Sequence, residues 1–171
     1  MFKDCNMVMH SNCSINFEPS RYVISNSKFF LNSRNVLKVG EDFSCLEMDC
    51  RLQENGVSLH IGRDCMFSTE IRIYSTDGHA IYQLEEPSKA INRGGKVVIG
   101  DHVWIGRRVV LLKDACISDN SVVGFGSIVT KQFLEPNIVI AGTPARIIKR
   151  GINWDRETPE QYTTLRLQGK A

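Results

Sequence analysis

The chain has no apolar run approaching the roughly 18 to 20 residues that a helical membrane span requires, so no such span is expected. It has no excess of one charge sign either. Lys plus Arg number 21 against 19 Asp plus Glu, a formal +2, which excludes the basic footprint of a nucleic-acid-binding domain. The six cysteines, at positions 5, 13, 45, 50, 65 and 116, include no C-x-x-C pair and no zinc-like spacing. The opening "MFKDCNMVMHSNC" lacks the apolar core of a secretory leader, so the cytoplasm and reduced thiols are the expectation. What is present is ordinary for one globular domain over 1–171: 42% apolar and 23% charged residues.

Against that plain background one pattern stands out. From residue 99 the sequence reads in sixes: "IGDHVW", "IGRRVV", "LLKDAC", "ISDNSV", "VGFGSI", "VTKQFL". The first positions are Ile99, Ile105, Leu111, Ile117, Val123 and Val129. The fifth positions are Val103, Val109, Ala115, Ser121, Ser127 and Phe133. A helix of period 3.6 cannot hold a strict six-residue stripe on one face, and a lone strand alternates with period 2. A fixed short period argues instead for stacked coils, a hexapeptide β-helix. Three hexads close a triangular coil of 18 residues, with Ile99 stacked on Ile117, Ile105 on Val123 and Leu111 on Val129. Neighbouring strands then lie about 4.8 Å apart. Each buried first-position side chain contributes roughly 1.5–3 kcal/mol, enough for the repeat to carry the fold.

The same signature recurs upstream as "IGRDCM", "FSTEIR" and "IYSTDG", and more faintly from Val39. Coils are therefore expected over 21–145, clearest at 61–76 and 97–133. Residues 1–20 show no clear period, and 146–171 reads as a tail. In that tail Thr158 is placed as a cap, with Pro159 at the first helical position and Gln161 as capping-box partner, predicting a short terminal helix.

Between Ile73 and Ile99 the count is not a multiple of six. The segment near 79–96, with Pro87 and Gly94-Gly95, is expected to leave the coil as an external loop. His79 falls where the rhythm would place an apolar residue, and leaving the register spares the core an unpaired imidazole. A second anomaly is Trp104, at a sixth position that should face outward; a lone exposed Trp marks an interface or ligand surface. His102 sits at a corner and reads as a turn residue.

Three stretches, "STDGH" at 75–79, "VVIGDHVWIG" at 97–106 and "VGFGSIVTK…AGTPARIIKR" over 123–150, resemble the hexapeptide-repeat acetyltransferases, especially bacterial sugar O-acetyltransferases of surface polysaccharide assembly. The resemblance implies an all-β, left-handed parallel β-helix. It also implies a homotrimer with active sites between neighbouring prisms, acetyl-CoA as cosubstrate, no metal, and a saccharide acceptor. Under it His79 matches the general base, and a neutral imidazole suits removal of a hydroxyl proton. Asp77 is a candidate to fix the imidazole tautomer, although a backbone carbonyl would serve equally. Trp104 matches a cleft tryptophan, and Arg107 stands where it would narrow the acceptor pocket or bind an anionic sugar. A backbone N–H at Gly106 or Arg107 is the candidate oxyanion donor. The cofactor would run past Gly106, Gly124, Phe125 and Gly126 to Thr130, Lys131, Gly142, Thr143 and Pro144, with Arg146, Lys149 and Arg150 toward its phosphates. Phe125 departs from the small residue usual there, and Arg107 likewise.

Other readings stay open at this stage. An N-acetyltransferase of an amino sugar needs little more than a different pocket, and a non-catalytic β-helix scaffold would lack cofactor binding. A metal-dependent hydratase of carbonic-anhydrase type, which needs three converging histidines, is disfavoured, because those at 10, 60, 79 and 102 include no H-x4-H pair.

Overall fold

The computed structural model describes residues 1–169, and within them the chain winds as a three-faced parallel β-helix. Its first face stacks the strands Phe2–Lys3, Ile24–Ser25, Ser44–Cys45, Met66–Phe67, Trp104–Ile105, Val122–Val123 and Ile138–Gly142. The second stacks Asn6–Met9, Lys28–Leu31, Met48–Leu52, Ile71–Tyr74, Val110–Leu112 and Ile128–Val129. The third runs Ser14–Phe17, Val36–Val39, Ser58–Ile61, Val97–Ile99, Cys116–Ile117 and Gln132–Phe133. The expected stacking is present: Ile99 pairs with Ile117, Ile105 with Val123 and Leu111 with Val129. All first and fifth positions from Ile99 to Phe133 are buried.

The corners follow from a second six-residue rule. The fourth residue of successive hexads, Asp64, Glu70, His102, Arg108, Asp114, Asn120 and Gly126, has a positive φ between 51° and 68°. None is β-branched, consistent with the steric cost of left-handed backbone for such residues. Corners also stack closely. A Cβ on Gly62 would lie 2.5 Å from the backbone carbon and oxygen of Gly100, so this corner admits no side chain.

The solenoid extends beyond the expected 21–145. Phe2–Lys3 pairs in parallel with Ile24–Ser25, and Ser14–Phe17 with Val36–Val39, so residues 1–20 form a coil. The sequence hid it because the upstream coils are longer: Leu37 and Leu59 are register partners 22 residues apart, whereas Ile105 and Val123 are 18 apart. Extra corner residues destroy the six-residue period without disturbing the stacking. At the other end, part of the expected tail is a strand, Ala145–Arg150, that returns antiparallel on Ile138–Gly142 and closes the first face.

The terminal helix, α1, spans Pro159–Leu167 with Thr158 as N-cap and the reciprocal Gln161 contact. It buries none of its residues. Residues 152–158 form a strap that ties it to the prism. Trp154 Nε1 donates to the His102 carbonyl at 2.7 Å. Arg156 donates to Asp64, to the Ser44 hydroxyl, and to the carbonyls of Asp42 and Cys65.

Candidate functional site

His79 is carried on the excursion that leaves the prism between the second and third faces, after Ser75. A short antiparallel hairpin, Tyr82–Gln83 with Glu86–Ala90, forms its outer part. Its neck is tied twice. Glu54 accepts from the Thr76 hydroxyl at 2.7 Å and the Gly94 N–H at 2.9 Å, and these bonds, that from Gly94 foremost, hold its carboxyl below its ordinary value. Gly95 N–H donates to the Ser75 carbonyl at 2.8 Å, and a Cβ on Gly95 would strike the Asp114 carboxylate.

Nearer the histidine, Asn92 is the organiser. Its Nδ2 donates to Asp77 Oδ2 at 2.9 Å and to the His79 carbonyl at 2.8 Å, while its Oδ1 accepts from the Ile81 N–H at 2.7 Å. Lys113 pairs with Asp77 and donates to the Asn92 carbonyl at 3.1 Å. The Lys113 ammonium, with Asn92 second, holds the Asp77 carboxyl below the usual carboxylate range. Asp77 therefore meets Lys113 and Asn92, and acts on the histidine through its backbone. The His79 ring is exposed at the mouth of the excursion.

The remaining candidates lie elsewhere on the prism. Gly106, Gly124, Phe125 and Gly126, with the hairpin tip Gly142–Thr143–Pro144, line the edge between the first and second faces. There the Gly126 N–H donates to the Arg107 carbonyl at 2.9 Å, and the Gly142 N–H to the Ser127 hydroxyl at 3.2 Å. Phe125 is 64% exposed. Gly106 N–H is committed to the Val123 carbonyl at 2.8 Å. Arg107 N–H, by contrast, takes no part in the coil's backbone bonding among the described residues. The Arg107 guanidinium is shared with Glu70, which also binds Arg108 at 2.8 Å. The two cations, Arg108 first, hold the Glu70 carboxyl low. Thr130 and Lys131 turn the edge between the second and third faces, the edge that carries His79. Arg146, Lys149 and Arg150 lie on the closing antiparallel strand, Arg150 paired with Glu135 at 3.1 Å. Trp104 is on the first face, 39% exposed, its ring 6.2 Å from that of Trp154.

One prism thus places His79 on one edge and the glycine ladder on another, with the second face between them. Asn92, Lys113 and Glu54 escaped the sequence reading. Glu54 and Lys113 lie a coil away from the loop they anchor, and no local motif marks them. Asn92, three residues before Gly95 in the neck, had only its turn-favouring chemistry to single it out.

Stacked hexads around an apolar interior, with one anchored excursion, define a parallel β-helix protein as the class. Within it, the chain belongs to the hexapeptide-repeat family: residues 96–131 match the family described as bacterial transferase hexapeptide (six repeats). The polysialic acid O-acetyltransferase of Escherichia coli O1:K1 / APEC is 41% identical over 130 residues, covering 76% of this chain and 39% of that protein. The polysialic acid O-acetyltransferase of Neisseria meningitidis is 50% identical over 99 residues, covering 58% and 46%. The chain therefore spans less than half the length of these curated relatives. The crystal structure of the polySia specific acetyltransferase NeuO superposes with a TM-score of 0.71 at 25% identity, covering 92% of this chain and 78% of that one.

Proposed function

We propose that this protein transfers an acetyl group from acetyl-CoA to a hydroxyl of a saccharide, with His79 as general base. The observation that carries the reading is the excursion. It is the one major break in the coil rhythm between Ile73 and Ile99, it is pinned by Glu54, Asn92, Asp77 and Lys113, and it presents an exposed imidazole. The names of the relatives, polysialic acid O-acetyltransferases, supply the class of acceptor.

In the proposed reaction the neutral imidazole of His79 takes the acceptor hydroxyl's proton as its oxygen attacks the thioester carbonyl carbon. The carbonyl oxygen gains charge, and the Arg107 N–H is assigned to meet it, since the Gly106 N–H is occupied. When the C–S bond breaks, the imidazolium returns its proton to the departing thiolate. The edge from Gly106 to Gly126 is assigned to the pantetheine arm, with Phe125 as its apolar wall. Thr130, Lys131, Arg146 and Lys149 are assigned to the nucleotide end, as is Arg150 once it parts from Glu135. The base and the glycine ladder occupy different edges, so the complete site is assigned to two copies of the chain in a homotrimer, each giving one edge.

The test is transfer of isotope-labelled acetyl from acetyl-CoA to a panel of saccharides, read by mass spectrometry, for wild type and His79→Ala. Label on a hydroxyl, reduced at least about 100-fold in the variant while CoA still binds, is the expected outcome. Equal rates in both proteins would remove His79 from the reaction, and label on an amine would change the acceptor class.

A further inference from the structure

A cleft of about 690 Å³ opens between the outer side of the first face and the segment that carries α1, within the size range of small-ligand sites. Protein does not fill it, because α1 buries none of its own residues. The chain has two tryptophans, Trp104 and Trp154, and both line this cleft. Their rings stand 6.2 Å apart at 45°, two apolar walls of an open wedge, with Met66, Pro159 and Tyr162 adding to the apolar lining.

Trp154 is held as a fixed platform. One ring face stacks on His102 at 4.2 Å and 10°. Its indole N–H donates to the His102 carbonyl, and its own carbonyl lies 3.0 Å from His102 Nε2. The other imidazole nitrogen lies 2.7 Å from Asp64 Oδ2, whose second oxygen accepts from Arg156 at 3.0 Å. The Arg156 guanidinium also lies 5.8 Å from the ring centroid, and a side chain anchored in this way is preorganised to offer its remaining aromatic surface to the cleft.

The polar lining specifies the ligand further. Asp155, Glu157 and Arg166 face the cleft. Arg156 lines it too, so two carboxylates and two guanidiniums offer hydroxyl groups, each of which donates and accepts, partners of both kinds. With Arg156 bonded to Asp64, the two carboxylates outnumber the remaining guanidinium of Arg166, which opposes a phosphate-rich nucleotide. We infer that the cleft between Trp104 and Trp154 is a saccharide subsite, in which a pyranose ring lies against the tryptophans and its hydroxyls meet Asp155, Glu157 and Arg166. This rests on the reading of Trp104 as an acceptor-side residue. It adds that the acceptor extends past the reacting sugar, so the enzyme prefers an oligosaccharide to a monosaccharide.

Intrinsic fluorescence reads the site directly. In Trp104→Phe the sole indole is Trp154, and its emission is followed during titration with mono- and oligosaccharides of galactose, N-acetylglucosamine and sialic acid, and separately with CoA. No acetyl donor is present, so the readout is independent of turnover. The expected result is a saturable change with an oligosaccharide, weaker with its monosaccharide, and none with CoA. In the protein with both tryptophans, Tyr162→Ala and Trp154→Ala should each weaken calorimetric oligosaccharide binding about tenfold. Tyr162 lies on a helix that buries nothing, so its variant separates lost binding from lost folding, checked by circular dichroism. A response to CoA, a response to none of the saccharides, unchanged affinity in both variants, or emission that tracks protein concentration alone would each overturn the proposal. The last would mean that a second copy fills the cleft. Saccharide binding without any acetyl transfer would sink the transferase reading and leave the subsite standing.

Discussion

At Asp77 the carboxylate faces Lys113 and Asn92, and Asn92 in turn holds the His79 carbonyl and the Ile81 N–H. Side-chain chemistry at the excursion is thereby spent on fixing backbone. If His79 is the base, Asn92→Ala should lower kcat about tenfold or more through misplacement of the imidazole, with little change in thermal stability. An unchanged KM for acetyl-CoA together with an unchanged melting temperature checks this, since loss of folded enzyme would also lower kcat but would show in the melting curve. The pH dependence of the anchor follows from its sign. The folded carboxyl of Asp77 titrates below its unfolded value, so its contribution is fully present above the ordinary carboxylate range and is lost as pH falls through the lower folded value. The acid limb of activity at mildly acidic pH should therefore be unchanged by Asp77→Asn; a shifted limb would assign that titration to Asp77. The six thiols are all free, and burial pushes Cys45 and Cys65 up to about 12, which makes them packing groups.

At the scale of elements, the strap and α1 divide what local sequence can encode from what it cannot. Thr158, Pro159 and Gln161 announce the helix because capping is a contact among residues three apart. The strap gives no such notice. Arg156 bonds to Ser44, Asp42, Asp64 and Cys65, partners about 90 to 110 residues away that the coiling brings to one edge. Arg156→Ala removes these charge-assisted bonds and should cost about 2 kcal/mol of local stability. The expected readout is faster tryptic cleavage after Arg150 at nearly unchanged global melting. Protection equal to wild type would show that Trp154 and the paired Asn137–Ile152 bonds hold the strap without Arg156. The corners behave like the helix cap. A polar residue or glycine at each fourth hexad position is a local demand of left-handed backbone, and His102 shows it, as a turn residue first and an anchor for Trp154 second.

For the whole molecule, stability is a sum over stacked coils, each contacting its neighbours. Leu111 is fully buried between Ile73 and Val129 on adjoining coils. Leu111→Ala should cost about 2–5 kcal/mol, and at this chain length lower Tm by roughly 5–15 °C, measured by calorimetry. The proposed two-edge site makes a sharper prediction. His79→Ala and Phe125→Glu should each be inactive alone, yet mixed trimers of the two should regain activity, because one chain's intact His79 edge then faces the other's intact glycine edge. No recovery on mixing would place both groups in one chain.

The sequence by itself determined the architecture, because burial at every sixth position is written within single hexads, and the excursion shows where that count fails. It also isolated His79, Trp104 and the capped helix, each by a local departure from the pattern. Only the tertiary structure decided that residues 1–20 form a coil, since longer corners erase the period while strand pairing preserves the stack. It alone decided that Asn92, Lys113 and Glu54 anchor the excursion, that Gly106 spends its N–H on Val123, and that His79 and the glycine ladder stand on separate edges. The physical reason is the same in each case. A coil brings together side chains one turn apart in space and about twenty to forty apart in sequence, so the pairing is fixed by how the coils stack and not by any neighbour along the chain.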